Sequence, residues 1–92
     1  MIGVIVIEAM LYDCQTLKEK RSIIKSLVTR LSQRFNIAIA ETNHQERWQR
    51  VQWTVVTVSN ERQQAEKELN RALSFIDSYV SVEVTEIDWE WL

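Results

Sequence analysis

The sequence predicts a small α+β sandwich with element order βαββαβ: a four-stranded antiparallel sheet carrying two helices on one face. Three observations carry that prediction. Stretches rich in Ile and Val stand at the beginning, middle and end of the chain. Two segments with apolar residues at helical spacing lie between them. Chain breakers are almost absent, with one glycine and no proline. Ninety-two residues fill a single core, so residues 1–92 are one domain. A hydrophobic share of 46% fits a globular chain.

Residues 2–11, "IGVIVIEAML", carry apolar side chains at both parities, as a central strand does when it is covered on both faces. "TLKE" at Thr16–Glu19 is a capping box, with the Thr16 hydroxyl positioned for the N–H of residue 19 and Glu19 for that of Thr16. Beyond it Ile24, Leu27, Val28, Leu31 and Phe35 recur at helical spacing, which predicts a helix over about 17–35 and turns Lys18, Lys25, Thr29 and Ser32 outward. Strands are predicted over 36–42 ("NIAIAET") and 51–59 ("VQWTVVTVS"), with "NHQERWQR" connecting them. A second helix, capped by Ser59 or Asn60 with Glu61 in its first turn, presents Ala65, Leu69, Ala72, Leu73 and Ile76 to the core. Residues 80–92, "VSVEVTEIDWEWL", supply the last strand.

This order is the split βαβ unit of ferredoxin-like folds, and right-handed crossovers place strands one and three at the centre. Tracing the chain up and down puts the start of the first helix and the strand two–three connection at one end. "KEKR" and "NHQERWQR" then become neighbours. The opposite sheet face has no helix to cover it, although alternation in strands one and three supplies apolar residues to both sides: Val4 and Val6 against Ile5 and Ile7, and Val55 against Val56 and Val58. A second copy would bury such a patch, so a homodimer is expected. Trp89 and Trp91, on one side of the last strand, could pack across that interface or serve as intrachain cover.

Charge is unevenly distributed. The net charge is −2, yet residues 18–35 hold six bases (Lys18, Lys20, Arg21, Lys25, Arg30, Arg34) against Glu19 alone. Three cations in the first turn oppose the positive end of the helix dipole, at roughly 0.3–1 kcal/mol each before screening. Glu86, Asp88 and Glu90 are expected at the far end of the last strand, too distant to offset them. An external phosphate would find free helix N–H groups beside Lys18, Lys20 and Arg21. His44, Gln45, Arg47, Trp48 and Arg50 join the same end, Trp48 as a plane on which a base could stack and the arginines for the backbone. These eight residues form the candidate nucleic-acid or anion site. The competing reading is a solvated charged face with a strand-edge aromatic, and a pI near 5.4 weighs against a dedicated nucleic-acid binder. The pattern is not that of an RNA-recognition motif, because strand one has no aromatic residue before Tyr12 and Trp48 and Trp53 differ in parity.

Other chemistries find little support. His44 is the sole histidine and Cys14 the sole cysteine, so neither a disulfide within the chain nor a cysteine-based zinc cluster can form. A His44–Cys14 pair is topologically allowed, but no nucleophile–base spacing stands out. Glu86, Asp88 and Glu90 share a strand face where they could hold a hard cation or simply discourage edge aggregation. With only Gly3 available, no glycine-rich phosphate loop exists. No cofactor or metal is expected. No apolar run approaches a membrane span, and the amino-terminal stretch lacks the basic region and cleavage site of a signal peptide, so a cytoplasmic protein is expected.

Three blocks, the helix start "LKEKR", the segment "RFNIAIAETNHQERWQR" and the turn "VSNER", resemble in order and spacing the short bacterial YlxP-like proteins, a domain-of-unknown-function family, over nearly the whole chain; Thr16 departs from the family's usual serine but keeps the cap. Asn43 stands where that family carries an acid next to the histidine. The resemblance implies a ferredoxin-like fold and no established activity. Members lie near translation and ribosome-maturation genes, which implies RNA or a ribosomal precursor as partner. The function expected is that of a small, non-enzymatic, RNA- or ribosome-associated protein. The alternative is a protein-interaction module using the apolar sheet face or the basic end.

Overall fold

A computed structural model describes residues 1–92. They form β1 (Ile2–Met10), α1 (Leu17–Arg34), β2 (Ala38–Asn43), β3 (Arg50–Val58), α2 (Arg62–Asp77) and β4 (Glu83–Trp91). The sheet order is β2-β3-β1-β4, with every neighbouring pair antiparallel, so the two most apolar strands are central. This is the ferredoxin-like arrangement.

Both helices cover one sheet face. Ile5, Ile7 and Ala9 of β1 and Val51, Trp53 and Val55 of β3 point into that layer, where Leu27 and Leu31 of α1 and Leu69, Ala72 and Ile76 of α2 meet them. All but Ala9 are fully buried, and each larger side chain removed from water contributes about 1.5–3 kcal/mol. The alternation in the sequence is therefore real, but the second apolar parity faces the bare side of the sheet.

Several boundaries differ from expectation for local reasons. β2 begins at Ala38 because Asn36 is held outside the ladder: its carbonyl accepts from Thr57 Oγ1 at 2.6 Å and its side chain donates to the Val58 carbonyl at 3.3 Å. β4 begins at Glu83, after a turn in which Val82 N–H donates to the Tyr79 carbonyl. The N-cap of α2 is Glu61 rather than Ser59 or Asn60. Its side chain makes no capping bond, and Ser59 Oγ instead accepts from Glu61 N–H at 3.2 Å. At α1, Thr16 Oγ1 accepts from Glu19 N–H at 3.1 Å as expected, while the Glu19 carboxylate reaches one residue further back, to Gln15 N–H.

Trp89 and Trp91 do not lie on the bare face. Cross-strand register sets them opposite Ile5 and Gly3, on the helix side, where their rings stack with centroids 6.2 Å apart and Arg62 covers Trp91 at 4.6 Å. They are intrachain cover. The only glycine makes this possible, since a Cβ on Gly3 would stand 2.8 Å from Trp91 Cζ3 and 3.0 Å from Leu69 Cδ1. Gly3→Ala should destabilise the fold by about 1–3 kcal/mol in urea unfolding through overpacking. Combining it with Trp91→Leu should recover most of that loss, and a strictly additive pair would refute the steric account.

Candidate functional site

The start of α1 and the β2–β3 connection do converge, and the contact that joins them is internal. Lys20 is buried, with a side chain 1% exposed. It lies in phase with Leu27 and Leu31 on the inward side of α1. Its ammonium stands 2.8 Å from Glu41 Oε2 of β2 and donates to the main-chain carbonyl of His44, twenty-four residues away. The Glu41 contact is ionic, lying off the direction of a good hydrogen bond.

This arrangement corrects the charge argument. The acids that balance the rim are Glu41 and Glu8, not a set at the far end of β4. Glu41 shares the parity of Ile39 and so looks toward the helices, while Glu8 interrupts the apolar run of β1 on the opposite face. His44 Nε2 lies 2.9 Å from Glu8 Oε1 and Arg50 3.6 Å from the same oxygen. Glu86 sits directly across from Glu8, close to this end of the sheet.

His44 bridges the two faces. Its backbone, at φ 64°, adopts the left-handed conformation that a tight turn requires, braced by Asn43 Oδ1 accepting its N–H at 2.8 Å. In that pose the carbonyl points down to Lys20 and the ring crosses to Glu8. The carboxylate that Asn43 does not supply thus comes from β1. Gln49 adds a second clamp by donating to the carbonyls of Tyr12 (3.3 Å) and Cys14 (3.2 Å), which fastens the hairpin to the β1–α1 connection.

Of the eight predicted site residues, Lys20 is therefore an internal brace, and His44 and Arg50 are engaged with Glu8. Lys18, Arg21, Gln45, Arg47 and Trp48 remain exposed. Trp48 is 50% exposed, and with Met10, Glu46, Arg47, Gln49 and Arg50 it lines a groove of about 430 Å³. Cys14 is in the core and donates its thiol to the Thr16 carbonyl, so the structure pairs the histidine with Glu8 rather than with the cysteine. The beginning of β4 faces the same end, where Glu83 beside the Tyr12 phenol raises its pKa above 10.0, chiefly by accepting its hydrogen bond.

The bare face has a regular charge pattern. One cross-strand row runs Ala38, Val56, Val4, Glu90, and the next runs Ala40, Thr54, Val6, Asp88. Each row ends in an acid on β4, which would repel a phosphate chain laid across the sheet. Glu86, Asp88 and Glu90 do not gather into a metal-binding group; no three His, Cys, Asp or Glu side chains do. No helix is long and apolar enough to cross a membrane.

Comparison with known sequences places this geometry in context. Residues 2–89 match the family model described as "Protein of unknown function (DUF503)". The chain is similar to the Uncharacterized protein YlxP of Bacillus subtilis (strain 168), with 44% identity over 91 residues, covering 99% of both chains.

Proposed function

The chain belongs to the DUF503 family of bacterial YlxP-like proteins, and on that premise we propose that it is a small, non-enzymatic cytoplasmic protein that binds single-stranded RNA at the hairpin rim, in the setting of a ribosomal precursor. One observation carries this reading. Trp48 stands half-exposed between Arg47 and Arg50 along a groove, on a loop clamped by Lys20 and Gln49. An aromatic plane with the unpaired guanidinium of Arg47 on one side, and on the other that of Arg50, which it shares with Glu8, suits a base and its phosphates. The free cations of α1, Lys18 and Arg21, add charge nearby, and Lys20 supports the loop without touching the ligand. The acids of β4 direct the RNA away from the sheet face.

The bare sheet face favours a second element of the reading. Val58 (60% exposed) and Ile2 (38%) border Val4, Val6 and Val56, and a second copy of the chain is the partner proposed to cover them. With a two-fold axis parallel to the strands, β4 of one copy lies over β2 of the other, so the acidic rows stay apart.

Anisotropy titration with single-stranded ribosomal RNA fragments at low and moderate salt tests the first element. Affinity should fall as salt rises, with a log–log slope of roughly −0.7 per phosphate contact. Trp48→Ala should weaken binding by about 1–3 kcal/mol. Affinity indifferent to both salt and Trp48 would refute it. For the second element, sedimentation should give a dimer that Val56→Lys dissociates, and a wild-type monomer at every concentration would end that proposal.

A further inference from the structure

A concavity larger than the rim groove lies elsewhere in the molecule. It lies on the helix layer, where the carboxyl-terminal end of α1 meets α2, with a volume of about 660 Å³, within the range of small-ligand sites. Its lining includes three cations, Arg34, Lys67 and Arg71, and no carboxylate. Asn70, Ser74 and Ser78 supply amide and hydroxyl groups, and Phe35 and Phe75 form the apolar part.

The cations are available. Neither Arg34 nor Lys67 has an acid within ion-pair distance, and the only partner of Arg71 is Glu68 at a long 3.8 Å. Glu68 is itself turned to Asn36, accepting the backbone N–H at 2.9 Å, and lines the neighbouring depression instead. Arg34 is also pre-positioned. Its guanidinium carbon lies 5.0 Å from the centre of the Phe75 ring and 5.8 Å from that of Phe35, and those rings meet edge to face at 6.0 Å. A guanidinium resting on an aromatic face keeps its N–H edge free for an oxyanion. The α1 terminus contributes about half a negative charge nearby, which three full positive charges outweigh.

We propose that this groove is a binding site for clustered phosphates, of the kind a nucleoside di- or triphosphate presents. Arg34, Lys67 and Arg71 bind the phosphate oxygens, Ser74 and Asn70 donate hydrogen bonds, and the phenylalanine rings provide contact for the nucleoside. The site is separate from the rim: Arg34 lies on the α2 flank of α1, whereas Lys18, Arg21 and Lys25 point away from it.

The test is titration of the full chain with inorganic tripolyphosphate and, in parallel, ATP, followed by backbone amide NMR. The expected result is saturable shifts at Arg34, Phe35, Asn70, Arg71 and Ser74. Arg34→Gln/Lys67→Gln/Arg71→Gln, whose side chains are all exposed, should weaken both titrations at least about tenfold while leaving the thermal unfolding curve in place. Tighter binding of ATP than of tripolyphosphate assigns the nucleoside to the phenylalanine end, and equal binding confines the site to the phosphates. Shifts only at Lys18, Arg21 and Arg47, no shifts at all, or a triple variant that titrates like the wild type would overturn the proposal. A chain that binds tripolyphosphate here but no RNA at the rim keeps this site and loses the RNA reading.

Discussion

A single buried ammonium organises this molecule. Lys20 enters the interior from the first turn of α1, on the side that elsewhere presents leucine, and meets Glu41 of an edge strand and the carbonyl of His44 in a loop. A charge withdrawn from water is tolerated only when it is paired and hydrogen-bonded, so its neighbours have little freedom. β2 must present Glu41 inward, and the loop after it must turn sharply enough to aim the carbonyl of His44 at α1. The left-handed backbone at His44 follows from that demand. With the carbonyl directed downward, the imidazole is carried over the end of the sheet to Glu8, which also attracts Arg50. One lysine thereby links the helix layer, the edge of the sheet and its bare face.

The consequence for function is a division of labour among charges that look alike in the sequence. Those that hold the rim together are paired, and those that could meet a ligand are exposed: Arg47 beside Trp48, Lys18 and Arg21 at the start of α1, and Arg34, Lys67 and Arg71 in the groove of the helix layer. The acids are segregated as well: β4 carries Glu86, Asp88 and Glu90 along one margin of the bare face, where their field opposes a polyanion. A rigid loop is a better platform for an aromatic contact than a mobile one, because less ordering is required on binding.

The fold was legible because its signals are periodic and mutually consistent. Two-residue alternation in β1 and β3, the leucine spacing of α1 and the capping threonine all point to one topology, and tracing strand directions was enough to bring residues 18–21 and 44–50 to the same end. The site was less legible. Lys20 was read as one of several surface cations, although its spacing from Leu27 and Leu31 puts it on the buried stripe. Glu8 and Glu41 were passed over because pairing partners depend on cross-strand register, which alternation alone does not set. The tryptophans of β4 were ambiguous for the same reason, and the empty side of Gly3 resolves them only once the register is known. The groove beside Arg34 escaped notice because it joins two helices whose packing offset has no sequence signature.

The account stands or falls on Lys20 acting as an internal brace. A double-mutant cycle in urea, with Lys20→Met, Glu41→Leu and the combined variant, measures this directly. Each single change should cost about 3 kcal/mol or more, since it strands a buried charge, and the double variant should lose much less than their sum. Additivity within about 0.5 kcal/mol would mean that the two charges do not depend on each other, and would contradict the account.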